Sequence, residues 1–99
     1  MSIALNDAAV PVSDAVAGAC EILGLDPLYV ANEGRCICFV PAIEADRALA
    51  ALRRTAVAQG AVLIGHVEEG PAGRVTLRSS LGTKRILDMF SGEQLPRIC

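Results

Sequence analysis

Four cysteines, one histidine and a glutamate in a glycine turn are the residues through which this 99-residue chain could do chemistry. Cys99 closes a polar, turn-rich stretch, Ser91-Gly92-Glu93-Gln94-Leu95-Pro96-Arg97-Ile98-Cys99. A terminal thiol sits on the freest backbone of a molecule, and that stretch fully extended could carry it roughly 30 Å, enough to move between separate sites. Pro96 stiffens the approach and Arg97 brings a cation close to the sulfur, while the α-carboxylate acts on the thiol in the opposite sense. On composition alone the plainer reading is a frayed terminus that ends in cysteine.

Cys36 and Cys38 lie one residue apart in an apolar run, so on a strand they would share a face and could offer two thiolates to a soft metal. Zinc would need about two further ligands, and His66, the sole histidine, is one candidate. Packing is the more economical explanation of a Cys-x-Cys in an apolar strand, and no metal is expected. His66 by itself reads as a structural or edge residue rather than a general base. Glu33, between Asn32 and Gly34, sits in a tight turn that could hold a carboxylate rigidly at a surface, or simply leave it solvated. No nucleophile elbow, phosphate-binding glycine loop or paired carboxylates are present in the sequence. The chain offers no nucleotide site of its own.

Composition narrows the classes further. The chain is 53% hydrophobic but only 3% aromatic, so its core must be built from Ala, Val, Ile and Leu, with little ring surface for stacking bases or sugars. A net charge of −2 with interspersed signs leaves no basic footprint for nucleic acid. Apolar runs are too short to span a membrane and residues 1–12 lack a secretion signal, so a cytoplasmic, soluble domain with reduced thiols is expected.

The elements that must position these residues follow from pattern. Ser2 to Leu5 is read as an edge strand, and Ser13 as the N-cap of a helix. Val16, Ala19, Cys20 and Leu23 form that helix's stripe, with Cys20 a small buried hydrophobe and Gly24 the C-terminal stop. Asp26-Pro27 leads a turn. Arg35 to Val40 is nearly continuous in apolar residues, which predicts a central strand covered on both faces. A second helix is predicted over Ile43 to Ala58, with Ala45, Ala48, Leu49, Leu52 and Ala56 on one face and charges suited to its dipole. Strands follow over Val62–Val67, around Val75–Arg78 and over Lys84–Met89, the last two joined by a hairpin at Ser79–Thr83. The order gives an α+β fold, an α/β sandwich with one mixed sheet and two main helices packed on it. The domain is expected to occupy residues 1–90, with 91–99 a flexible tail.

Two stretches carry a resemblance to a known family. Cys20-Glu21-Ile22-Leu23-Gly24-Leu25-Asp26-Pro27-Leu28-Tyr29-Val30-Ala31-Asn32-Glu33-Gly34 and Asp88-Met89-Phe90 through Pro96-Arg97-Ile98-Cys99 closely resemble the HypE hydrogenase maturation proteins. These are carbamoyl dehydratases of the PurM-like superfamily, and the resemblance covers essentially the whole chain but only the family's C-terminal domain. It implies that Cys99 is a working thiol, carbamoylated by a HypF carbamoyltransferase. The adduct is then dehydrated with ATP to a thiocyanate that donates cyanide to iron on a HypC–HypD complex. It further implies Glu33 as the base that removes a proton from the carbamoyl nitrogen, with Asn32 positioning it. Such a base works best when withdrawn from water. In the family ATP binds an N-terminal, dimerising domain that this sequence does not contain. The chain is therefore expected to be part of a larger enzyme, homodimeric when complete, and inactive alone. The competing reading is a stand-alone binding module that docks HypF, HypC–HypD or a separate ATP-binding chain.

Overall fold

The computed structural model describes residues 1–88; the thiol-bearing tail, Cys99 included, and the end of the final predicted strand lie outside the described residues. Four strands form one mixed sheet: β1 (Ser2–Asn6), β2 (Gly65–Glu68), β3 (Val75–Arg78) and β4 (Lys84–Ile86), in the order β2-β1-β3-β4. Strand β1 runs antiparallel to β2 and parallel to β3, and β3 pairs antiparallel with β4. Two helices accompany it, α1 (Asp14–Leu23) and α2 (Ala45–Arg53). The expected mixed-sheet α+β class with two main helices is what the chain forms.

By its internal contacts the chain divides into two units, the first made of Met1–Val10 with Cys38–Leu87, the second of Pro11–Ile37 with Asp88. The first unit holds the sheet and α2. Its most buried side chain is Leu77 at 2% exposure, which sits on β3 opposite Leu5 on one side and Arg85 on the other. Ser2 is buried as well, and its hydroxyl donates to the Pro71 carbonyl at 2.7 Å, so no buried polar group is stranded there. The Ser79–Thr83 hairpin forms as expected: the Ser79 N–H donates to the Thr83 carbonyl at 2.8 Å, and Gly82 supplies the positive φ of 88° that the turn needs.

Strand β1 is not an edge strand as predicted but a central one. Both its sides are taken by residues far along the chain, Gly65–Glu68 and Val75–Arg78. Gly65 makes that pairing close. It stands opposite Leu5, and a Cβ there would collide with the Ala4 carbonyl oxygen and come within 3.0 Å of the Leu5 Cα. The predicted strand over Val62–Val67 begins later, at Gly65, although the Ile64 carbonyl still accepts from the Asn6 N–H at 2.8 Å.

The predicted strand over Arg35–Val40 does not form. Among the described residues this run takes part in no ladder, and Ile37 and Phe39 are exposed at 68% and 67% rather than covered on both faces. Apolar, β-branched composition describes a chain that would suit a half-buried pleated surface, but a ladder also needs a free neighbouring edge. Both sides of β1 are already taken, and no other strand pairs with this run among the described residues.

The second helix is shorter than the stripe implied. Ala42–Glu44 and Ala56–Ala58 are single 3-10 turns flanking α2, because Thr55 takes an extended conformation (φ −94°, ψ 130°) and breaks the run. Ala45, Ala48, Leu49 and Leu52 are half-buried as the stripe requires, whereas Ala56, beyond the break, is exposed. Arg53 near the C-terminal end donates from Nε to the Ala61 carbonyl at 3.0 Å. Arg47 pairs with Glu44 one turn back.

Candidate functional site

The candidate site lies in the second unit and is built outward from α1. Ser13 caps the helix, its Oγ accepting from the Val16 N–H at 3.3 Å, with Asp14 in the first turn where the helix dipole favours an acid. Cys20 is the buried point of this helix at 6% exposure, as expected, whereas Val16, Ala19 and Leu23 on the predicted stripe are exposed. At the C-terminal end Gly24 adopts φ 70°, the left-handed conformation that costs glycine least. The Cys20 carbonyl then accepts from both the Gly24 and the Leu25 N–H groups.

The stop turns the chain directly into Asp26-Pro27-Leu28-Tyr29, where Asp26 Oδ1 accepts from the Leu28 N–H at 3.0 Å and Pro27 sets the first position of a 3-10 turn. This fixes Tyr29, whose hydroxyl donates to the Asp88 carbonyl at 2.8 Å, 59 residues away in sequence. Asp88 is the last described residue before the thiol-bearing tail. Beyond Tyr29 the chain runs through Val30 to Asn32-Glu33-Gly34, where Gly34 takes φ 79° and bends the backbone, as a turn there requires. Arg35 closes the far side, donating from Nη1 to the Pro11 carbonyl at 2.8 Å. The Asn32–Gly34 bend is thus held between a tyrosine tether on one side and an arginine tether on the other.

Asn32 and Glu33 are both exposed, so the carboxylate is not withdrawn from water among the described residues. The rigidity expected of it comes from the flanking tethers rather than from burial. What the chain brings together is the Glu33 bend and the root of the C-terminal tail. Tyr29 is only four residues before Glu33, a separation of at most about 14 Å of extended chain. Tyr29 was not singled out from sequence, though one signal pointed to it. It is the only tyrosine, it is half-buried, and a phenol in that position needs a hydrogen-bond partner.

The other chemistry-bearing residues form no metal-holding cluster among the described residues. Cys20, Cys36 and Cys38 are free thiols, the last two exposed and not on a strand, which removes the shared face that a Cys-x-Cys metal site presupposed. No group of three or more His, Cys, Asp or Glu side chains able to hold a metal occurs among the described residues. His66 lies on the outer strand β2 as an edge residue, its Nε2 3.0 Å from Glu68 Oε2, and both side chains are largely exposed.

The mixed four-stranded sheet with two helices defines an α/β sandwich domain of the PurM-like kind. The chain belongs to the family of AIR synthase related proteins, C-terminal domain, whose family model matches residues 1–78. Among individual proteins it is similar to carbamoyl dehydratase HypE of Rhodobacter capsulatus, 50% identical over 97 residues, and to that of Cupriavidus necator, 48% identical over 99 residues. These alignments cover 98% and 100% of this chain but 28% of each relative, so the chain spans under a third of the proteins it matches. A crystal structure of hydrogenase maturation protein HypE superimposes with a TM-score of 0.89 at 44% identity, over 99% of this chain and 32% of that one. HypE in complex with ATP matches with a TM-score of 0.87 at 43% identity, covering 99% and 30%. A HypE–HypF complex matches at 0.81 and 33% identity, covering 88% and 28%. No helix among the described residues is long and apolar enough to cross a membrane.

Proposed function

We propose that this chain is the thiol-bearing domain of a HypE-type carbamoyl dehydratase, organised as a folded domain over residues 1–90 and a carrier tail over 91–99. The observation that carries this reading is the similarity to carbamoyl dehydratase HypE of Cupriavidus necator, which runs through all 99 residues and so takes in the tail and its terminal cysteine.

In this reading the Cys99 thiolate accepts a carbamoyl group from a HypF-type transferase, forming S–C(=O)–NH2. The HypE–HypF complex among the similar structures supports a partner of that kind. Sulfur suits the task because it is a competent nucleophile and later a tolerable leaving group. An amide nitrogen is a very weak acid, so loss of its proton needs both an activated carbonyl oxygen and a positioned base. Glu33 is that base, with Asn32 beside it, and the tethered bend supplies the positioning. The carbamoyl oxygen leaves with the terminal phosphate of ATP and the two nitrogen-bound protons are given up, leaving S–C≡N on Cys99. The cyano group then passes to iron held by a HypC–HypD-type complex; cleaving the S–C bond to give both cyanide and thiolate takes up two electrons, which a two-electron reductant of that complex supplies.

In this reading the nucleotide binds to the remainder of a longer or partnered protein, and this chain alone does not turn over. The HypE structure with ATP supports the nucleotide's place in such a protein. The assembled enzyme is a cytoplasmic homodimer in this reading.

Glu33→Ala in the full-length protein separates the two steps. With a HypF-type transferase, carbamoyl phosphate and ATP, the variant is expected to accumulate the carbamoyl adduct without losing water to the nitrile, by intact mass. Normal nitrile formation by Glu33→Ala would remove that residue from the mechanism.

A further inference from the structure

We propose that Arg78 and Lys84, with Asn6 beside them, form a docking row for an acidic segment of a separate partner protein, independent of the dehydration chemistry. The ladder registers set the row: Asn6 on β1 pairs with Arg78 on β3, and Arg78 pairs with Lys84 on β4. Directly paired residues project from the same face of a sheet, so an amide, a guanidinium and an ammonium stand side by side. All three residues are exposed. The Ser79 N–H donates to the Thr83 carbonyl, which makes the next pair along a hydrogen-bonded one. Arg78 and Lys84 therefore hold a non-hydrogen-bonded position, where opposed side chains lie closest. The Ser79 and Thr83 hydroxyls, 2.6 Å apart, close the hairpin beside them.

Like charges directly opposite each other repel. Among the described residues the ion pairs are Arg47–Glu44 and His66–Glu68, and neither Arg78 nor Lys84 takes part in one. Glu68 is on the same face but stands opposite Ser2, at the other end of β1. That is at least about 13 Å from the row, beyond effective reach at ordinary ionic strength. A carboxylate placed between the two cations turns their repulsion into two charge-assisted hydrogen bonds. The next row on this face, Thr76 with Ile86, adds an apolar side chain at 52% exposure. Two cations beside an exposed isoleucine suit a protein segment of mixed acidic and apolar residues better than a free phosphate. A nucleotide fits less well again, since a chain with 3% aromatic residues has little ring surface on which to stack a base. With a net charge of −2 the chain as a whole does not attract polyanions, so the attraction is local to this row.

Fluorescein-labelled hexaglutamate is titrated with full-length protein at low ionic strength and followed by fluorescence anisotropy. Labelled hexaglutamine is the neutral probe and tripolyphosphate the competitor. Hexaglutamate is expected to bind and hexaglutamine not. Arg78→Gln and Lys84→Gln should each weaken binding about threefold, the scale of an exposed ion pair, and the double variant about tenfold. Arg54→Gln removes one exposed charge at the C-terminal end of α2 instead, and should match wild type. Each substitution in the row also removes a repulsion, so neither variant should melt below wild type. Equal weakening in Arg54→Gln, full binding by the double variant, or no binding to wild type would overturn the proposal. So would a lower melting point for Lys84→Gln, which would make the pair a structural feature of the hairpin. Tighter binding of tripolyphosphate than of hexaglutamate would overturn it too, by making the ligand a phosphate.

Discussion

Gly65→Ala should destabilise the sheet by forcing its outer strand β2 away from β1. Gly65 stands opposite Leu5 in the antiparallel pairing of β2 with β1. A methyl group added there would run into the Ala4 carbonyl oxygen and lie 3.0 Å from both the Ala4 carbonyl carbon and the Leu5 Cα. Ordinary carbon–carbon contact is about 3.5–4.0 Å, so the strands must part by at least half an ångström. Every obstructing atom is backbone, so no side chain can rotate away. Overpacking of this kind costs about 1–3 kcal/mol, and separating the strands weakens one or two ladder hydrogen bonds at about 1 kcal/mol each. A total near 3 kcal/mol would lower the melting temperature of a domain this size by about 15 °C. Gly60→Ala is the matched control, because nothing lies within 4 Å of a Cβ there and its φ is not in the left-handed region. Thermal unfolding followed by circular dichroism compares the two. A Gly65→Ala melting point within about 3 °C of the Gly60→Ala control would refute the close β1–β2 pairing.

Two further outcomes follow from the second unit and the cysteines. Gly18 lies inside α1 with open space around its Cβ position, so Gly18→Ala should stabilise by about 0.5–1 kcal/mol, visible as a higher urea midpoint with an unchanged m-value. In native protein Cys36 and Cys38 should alkylate at least about tenfold faster than Cys20, by peptide-resolved mass spectrometry, because Cys20 must first be exposed by local opening.

Local chemistry was legible in the sequence, and long-range partnership was not. Ser13, Gly24, Asp26-Pro27 and Gly34 were read correctly because caps and turns are decided within a few residues, by one side-chain acceptor or one positive φ. Cys20 and the half-buried face of α2 were read from helical spacing. Strand rank escaped that kind of reading. A five-residue strand such as Ser2–Asn6 carries no mark of how many neighbours it has, and its partners lie sixty or more residues away. The same ignorance made Arg35–Val40 a central strand on composition, although the described residues leave it without a ladder. Of the site, Asn32-Glu33-Gly34 was visible as a turn. The Tyr29–Asp88 contact was not, since a tyrosine in sequence shows a need for a partner but not its identity.

The central claim is that the sulfur of Cys99 carries the group that becomes cyanide. It is tested most directly by isolating the C-terminal peptide after full-length protein has turned over with a HypF-type transferase, ATP and isotopically carbon-labelled carbamoyl phosphate. The account predicts a labelled nitrile confined to Cys99, differing from the carbamoylated peptide by the loss of one water, and its absence in Cys99→Ala. A labelled nitrile on another residue, or its persistence in Cys99→Ala, would contradict it.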